Sequence, residues 1–277
     1  MTINSKHLYT SLKHFFVRKD AEYEYYTENY QAKTTGQKAL YLFMYFFPGI
    51  LAFVLINQKP VFDWILNHTG LTGSQFQYIA FIAVTFGIHI ALPFLILRYA
   101  DGLTFKQSLA FLSLNKFDWK GVVLIAPIFL LAFVLISYPY FIFIARPLRH
   151  LIDTVPALAI PEHSIFRSYQ AMFNYSPVQI LFLLIGNHIG EELYFRGYLL
   201  KKTAFLGQYA WVANGVFFAL YHIWQIPQTW PLFGINILFG LLMVWRKNTY
   251  VLVVFHFLTN YMWPFLFIVL FGSQPYS

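Results

Sequence analysis

Two adjacent glutamates lie in the apolar run 181–196, which reads LFLLIGNHIGEELYFR. Glu191 and Glu192 therefore stand in a segment apolar enough to lie in a membrane, where an ionised group costs several kcal/mol by most estimates. A carboxylate at that depth is rarely kept without a use. The chemistry open to it is general-base catalysis, in which it takes a proton from a water molecule that attacks a substrate.

The spacing around the glutamates predicts different roles for the two carboxylates. On a helix, Glu192 and Arg196 are i,i+4 neighbours and can form an ion pair. Glu191 is turned about 100° from Glu192 round the helix, so it faces elsewhere and is free to accept a proton. The alternative is a buried ion-pair cluster that only locks two helices together, although a lock needs one carboxylate and this segment has two.

Two further motifs carry side chains suited to the same chemistry. Phe218 and His222 are spaced i,i+4 in the run FFALYHIW, and His256 and Asn260 have the same spacing in VFHFLTN. Each pair would share one face of a helix. A single histidine in an apolar helix is more often a packing residue than a catalyst, so either motif alone is a weak signal.

Sequence distances place the three motifs at one depth. If the chain turns at Gly207, Glu191 lies 16 residues before the turn and His222 lies 15 residues after it. Antiparallel helices would then bring the two side chains level. Glu191 and His256 are each roughly 15 Å from the basic residues nearest to them at a helix end, given a rise of 1.5 Å per residue. We therefore expect a carboxylate and two imidazoles to converge near mid-membrane, with Asn260 one turn deeper.

As a set, the motifs Glu-Glu-x-x-x-Arg, Phe-x-x-x-His and His-x-x-x-Asn resemble those of the CPBP family over about 178–262. This family comprises the CAAX-type prenyl endopeptidases and the bacteriocin-processing, or Abi, proteins. The resemblance implies a glutamate-dependent intramembrane endopeptidase that needs no metal and no other cofactor. It also implies a peptide or protein substrate, which could be prenylated, and a lipid bilayer as the surroundings.

The resemblance also assigns roles to the motif residues. Glu191, together with His222, would activate a water molecule for attack on a peptide carbonyl, and His256 and Asn260 would donate hydrogen bonds to the developing oxyanion. Supporting roles fall to three more residues: Glu192, Arg196 and Phe218. General acid–base chemistry of this kind is worth about 10²–10⁴-fold in rate, and loss of one oxyanion donor can cost about 10²–10³-fold.

Three other functions remain open at the level of the sequence. A zinc peptidase could use Glu191, His222 and His256 as ligands, because two imidazoles and a carboxylate make a common catalytic zinc set; against it, the chain has no His-Glu-x-x-His. A non-proteolytic scaffold or immunity protein could share the same fold. A transporter could also carry ionisable groups in its spans, but these carboxylates cluster in one place and no internal repeat is present.

Further polar and aromatic residues in the apolar segments are ambiguous. His188 precedes the glutamates by three and four positions and could orient either carboxylate. His89 is predicted to be a packing residue. Tyr221 and Trp224 flank His222 and could line a groove, although aromatic side chains in a membrane protein usually serve packing or the interface. Asn214 is expected to hydrogen-bond between helices.

The composition indicates which elements must position these residues. Of 277 residues, 58% are hydrophobic and 11% are charged, whereas about 25% are charged in a typical soluble domain. The chain has no cysteine, which excludes disulfides, thiolate nucleophiles and cysteine-ligated zinc. We predict an all-α, polytopic transmembrane helix bundle of about seven or eight spans. The apolar segments that predict spans lie at 39–56, 78–97, 121–145, 178–200, 209–226, 231–245 and 249–271.

The distribution of Lys and Arg predicts the orientation. With seven spans and a cytoplasmic N-terminus, 14 of the 19 basic residues lie inside, four lie outside and Arg196 lies within a span. The basic residues behind the +8 net charge are spread over the loops between apolar segments, where they set topology, so no nucleic-acid partner is expected. Residues 1–38 form a cytoplasmic segment that suits an interfacial helix and that we expect to be retained, since it lacks the core of a secretory signal. Residues 39–277 form one transmembrane domain with a catalytic core at 178–262, and an eighth, re-entrant element would fall within 146–177.

Overall fold

The computed structural model describes residues 5–164 and 175–272. This part of the chain is mostly helical and contains no β-strand, so the all-α prediction is confirmed. We number the helices in chain order and merge π and 3-10 segments into the helices that they continue. They are α1 (Ser5–Phe16), α2 (Ala21–Tyr30), α3 (Thr35–Asn57), α4 (Lys59–Thr69), α5 (Gly73–Tyr99), α6 (Phe105–Phe111), α7 (Gly121–Asp153), α8 (177–202), α9 (Ala204–Leu220), α10 (Ile223–Leu232), α11 (Ile237–Arg246), α12 (Thr249–Tyr261) and α13 (Trp263–Phe271).

Three of the described helices, α3, α5 and α7, are long and apolar enough to cross a membrane by themselves. Up to five spans result if each of two bent pairs, α10 with α11 and α12 with α13, counts as one. The predicted spans at 178–200 and 209–226 are absent from this count. The first corresponds to α8, whose polar residues lower its hydropathy, and the second corresponds to α9, which is too short.

The predicted spans near the C-terminus are broken in the structure. The segment that contains 231–245 consists of α10 and α11, which meet at 73°, and the segment 249–271 bends by 52° between α12 and α13. Proline explains the second break, because Pro264 follows Trp263 at the start of α13 and cannot donate a backbone hydrogen bond to the preceding turn. Pro227 and Pro231 interrupt α10 in the same way.

The α8 helix lies at the centre of the bundle. Every residue from 190 to 203 is buried, as expected for a helix that is surrounded by other helices. Asn214 of α9 fixes its neighbours, because its side-chain amide donates to Phe195 O (2.7 Å) and to the Tyr45 hydroxyl of α3 (2.8 Å). The prediction of an interhelical role for Asn214 is confirmed. The turn between α8 and α9 contains Gly207, whose positive φ of 62° favours glycine, and this agrees with the turn predicted there.

One end of the bundle collects the segments that the charge count assigns to a single side. Arg246, at the end of α11, donates from Nη1 to Phe16 O (3.0 Å), and Lys116 pairs with Glu22 of α2 (2.8 Å). The described part of 1–38 therefore packs against the basic ends of the later helices. Which side of the membrane this end faces stays a prediction.

The loop predicted to hold an eighth element is covered in part. The α7 helix continues to Asp153, beyond the predicted limit of 145, and a short 3-10 turn follows at Pro156–Leu158. Residues 165–174, which include Arg167, lie outside the described residues.

Candidate active site

Glu191 is the centre of a cluster of polar side chains inside the bundle. It lies between two π-helical segments of α8, Ile185–Gly190 and Glu192–Leu199, and is 3% exposed. Its Oε1 accepts a hydrogen bond from the Tyr221 hydroxyl and is 3.9 Å from His222 Nε2. Its Oε2 is 4.0 Å from His256 Nε2. The structure therefore brings together the carboxylate and the two imidazoles that the sequence distances place at one depth.

His222 lies beyond the end of a helix, which corrects the prediction of a span through 226. The α9 helix ends at Leu220, and the backbone of His222 leaves the helical region (φ −75°, ψ 48°). Even so, its Nδ1 is 2.9 Å from Phe218 O, four residues earlier. A carbonyl oxygen can only accept, so Nδ1 carries the hydrogen. In the neutral ring, the Nε2 atom that faces Glu191 is then an acceptor.

Glu192 lies on another side of α8, between Arg196 and His256. Arg196 Nη1 donates to Glu192 Oε1 (3.0 Å), and both side chains are fully buried, so the predicted i,i+4 ion pair is confirmed. His256 Nδ1 is 2.9 Å from the same oxygen, without the alignment of a hydrogen bond. Glu192 thus links the helix that bears Glu191 to the helix that bears His256.

The Phe218 ring contacts one residue of each of the three motifs. The guanidinium carbon of Arg196 lies 3.8 Å from the centre of the Phe218 ring, a cation–π contact. The same ring lies 5.2 Å from the His222 ring and 6.1 Å from the His256 ring, both in edge-to-face geometry. This contact matters for Arg196 because its Nε and Nη2 atoms have no hydrogen-bond partner among the described residues.

Asn260 lies at the outer side of the cluster. It is exposed, and its side-chain nitrogen is 3.3 Å from His188 Nε2. His188 Nδ1 bonds to Leu184 O (2.9 Å), so its Nε2 can accept from the Asn260 amide. The His188 ring also packs 4.8 Å from the His256 ring. The His188 side chain therefore contacts His256 and Asn260 of the third motif, whereas the sequence predicts a carboxylate partner.

A glycine in α3 sets the position of the chain around Tyr221. A Cβ atom added at Gly49 would overlap the carbonyl group of Tyr221, so α3 can approach the Tyr221–His222 segment only because this position has no side chain. Gly87 of α5 offers a contrast, since no atom lies within 4 Å of an added Cβ there.

We expect Gly49→Ala to destabilise the protein by about 1–3 kcal/mol, the usual cost of an inserted methyl group in a packed interior. The measurement is thermal unfolding of the detergent-purified protein. Gly87→Ala is the matched control, and it should leave the unfolding temperature unchanged or raise it slightly, because alanine favours helix. Equal unfolding temperatures for both variants would show that the Gly49 contact is not tight.

The zinc alternative requires three ligands arranged around one point. Within 5–164 and 175–272, no group of three His, Asp or Glu side chains has an arrangement that could hold a metal ion. The separations of 3.9 and 4.0 Å from Glu191 instead leave room for a small molecule such as water, which can contact groups that lie beyond direct hydrogen-bond reach.

The segment that carries this geometry matches a known family. Residues 173–262 match the family model described as Type II CAAX prenyl endopeptidase Rce1-like. The match supports the resemblance of this segment to the CPBP family. The match covers about a third of the chain and contains all three motifs of the CPBP core. No curated protein and no solved structure gives a match to the chain.

The matched segment has one polar contact that the sequence did not predict. Tyr221 was expected to pack or to line a groove, but its buried hydroxyl bonds to Glu191. The sequence signal for this contact is the position of Tyr221 directly before His222, because the chain places consecutive residues close together. The apolar helices and the match to an endopeptidase family model together support an integral membrane hydrolase of the CAAX-protease type.

Proposed function

We propose that this protein is an intramembrane endopeptidase that hydrolyses a peptide bond with Glu191 as its general base and without a metal ion. The observation that carries the proposal is the position of one buried carboxylate 3.9 Å from His222 and 4.0 Å from His256. The family match of the same segment supports the reaction class.

The hydrogen-bond pattern suits the binding of a water molecule by its two hydrogens. Glu191 as a carboxylate is an acceptor, and neutral His222 presents an acceptor at Nε2 because its Nδ1 hydrogen is used on Phe218 O. One water can donate one hydrogen to each. Its lone pairs then point away from both groups, towards a substrate carbonyl carbon.

Proton transfer completes the reaction. As the water oxygen bonds to the carbonyl carbon, Glu191 takes one of its protons, and the carbonyl oxygen becomes an oxyanion. Glu191 then gives that proton to the leaving amine nitrogen as the C–N bond breaks, so base and acid are one residue. The first products are a carboxylic acid, which keeps the second proton of the water, and an amine, and the carboxylate of Glu191 is restored. The acid then passes its proton to the amine, which gives a carboxylate and an ammonium group.

The oxyanion needs donors that are already in place. His256 can donate from Nε2 when that atom carries a hydrogen. Asn260 has two amide hydrogens, one of which is used on His188, so the second is free for the substrate. In this proposal, Glu192 and Arg196 hold the helix that bears Glu191 and the helix that bears His256 in register.

The substrate is proposed to be a peptide or protein segment of CAAX type, which could be prenylated, or a leader or bacteriocin-type peptide. The test is cleavage of a quenched peptide library that includes prenylated members by detergent-purified protein, with mass spectrometry of the products. We expect cleavage that is insensitive to chelators. Loss of activity with a chelator and its return with Zn²⁺ would contradict the metal-free mechanism, and no cleavage of any member would favour a non-proteolytic scaffold.

A further inference from the structure

His89 is a buried imidazole that the reaction described above does not use. It lies in the π-helical segment Ala83–Ala91 of α5 and is 1% exposed, and neither ring nitrogen has a hydrogen-bond partner among the described residues. A neutral imidazole always carries one donor and one acceptor. Leaving both unsatisfied is costly, so a phenylalanine or leucine would serve packing alone better at this position.

Two glycines of α8 bring this histidine close to Glu191. A Cβ added at Gly186 would overlap the Thr85 hydroxyl, and one added at Gly190 would lie 3.3 Å from His89 Cβ. Small residues four apart allow helices to approach closely, and π-helical segments are frequent at functional sites. The turn of α5 that carries His89 therefore packs directly on the turn of α8 that precedes Glu191.

The polar groups at this contact surround a cavity the size of one water molecule. The centre of a water molecule can move within about 10 Å³ of this cavity, which is close to the minimum that one bound water requires. Five lining residues carry hydrogen-bonding groups, namely Glu191, Tyr221, His89, Thr85 and Trp224, and the other five are apolar. A buried water usually makes two to four hydrogen bonds, and these groups can supply them.

We propose that His89 is a positioning residue of the active site, which holds one water in this cavity and through it fixes the Glu191 carboxylate and the Tyr221 hydroxyl. The arrangement would limit rotation of the carboxylate, so that the oxygen facing His222 stays aimed at the reacting water. This inference rests on the proposed function, although the water site itself does not depend on turnover.

The test compares His89→Leu with His89→Asn in the full-length protein. In His89→Leu, kcat should fall about tenfold with KM unchanged, which corresponds to the loss of one hydrogen bond. Because one ring nitrogen stays without a partner even when the other binds the water, removing the ring also removes an unsatisfied buried polar atom, and the unfolding temperature should not fall. The polar His89→Asn should recover part of kcat. His68→Leu, at an exposed position of α4, is the control and should behave as wild type.

A high-resolution structure of the wild type and of His89→Leu provides a readout that does not require activity. Density for a water bonded to His89 in the wild type, and its loss in the variant, supports the inference even if no peptide is cleaved. Unchanged kcat in His89→Leu of a protein that does cleave overturns it while leaving the proposed function intact. A dry cavity, with His89→Leu changing KM according to the size of a substrate side chain, also overturns it in favour of a side-chain pocket.

Discussion

Glu191→Gln is expected to reduce peptide cleavage by about 10²–10⁴-fold, the usual contribution of a positioned general base. The amide keeps the shape of the carboxylate and can still accept from Tyr221, but it cannot take a proton from water. Because the substrate still binds the same groups, the loss should appear in kcat, with KM little changed. Initial rates on the best member of the peptide library measure this effect.

The controls for this prediction separate chemistry from charge and folding. Glu28→Gln removes one negative charge at an exposed position of α2 and should leave the rate unchanged. Glu191→Gln itself should unfold at or above the wild-type temperature, because the substitution removes a buried carboxylate. Full activity in Glu191→Gln would mean that another group is the base.

Arg196→Met should produce the largest loss of stability of any single substitution at the site. The change leaves Glu192 as a buried carboxylate without its partner, and breaking one half of a buried ion pair usually costs about 3–5 kcal/mol. The variant also loses the stacking of the guanidinium on Phe218. Thermal unfolding in detergent measures the effect, and lower yield of folded protein should accompany it.

A second variant identifies the cause of that loss. Glu192→Gln with Arg196→Met removes both charges, so it should recover much of the stability that Arg196→Met loses. Lys59→Met breaks an i,i+4 ion pair of similar spacing at the surface, where the two side chains are 69% and 45% exposed. That control should cost under about 1 kcal/mol. If the double variant is no more stable than Arg196→Met, packing rather than charge accounts for the loss.

The convergence of the motifs could be predicted because it depends on helix rise and turn position alone. Glu191, His222 and His256 are related by distances counted along the chain, and those distances remain nearly correct even though α8 contains π-helical turns. The ion pair of Glu192 with Arg196 is local and follows from spacing. The roles of these residues in catalysis stay predictions.

The remaining features depend on contacts between distant segments, which periodicity does not reveal. The approach of α3 to Tyr221 requires Gly49, and the burial of His89 against α8 requires Gly186 and Gly190. The short sixth segment, 231–245, is compatible with a tilted or partly re-entrant element, but the positions of the two bends near the C-terminus could not be predicted, because hydropathy averages over a window and therefore passes over a proline bend. In each case the signal was a single small or cyclic residue in an apolar run.

The contrast between a buried Glu191 and an exposed Asn260 has a consequence for how rates would be measured. Asn260 lies on α12 beside Phe257, Tyr261 and Met262, which are exposed apolar side chains of the kind that face lipid tails. A peptide hydrolase open on that flank would meet its substrate by two-dimensional diffusion in the bilayer. The rate per enzyme molecule would then depend on the mole fraction of substrate among the lipids. Adding plain lipid to the vesicles would lower this rate, whereas diluting the whole suspension with buffer would leave it unchanged.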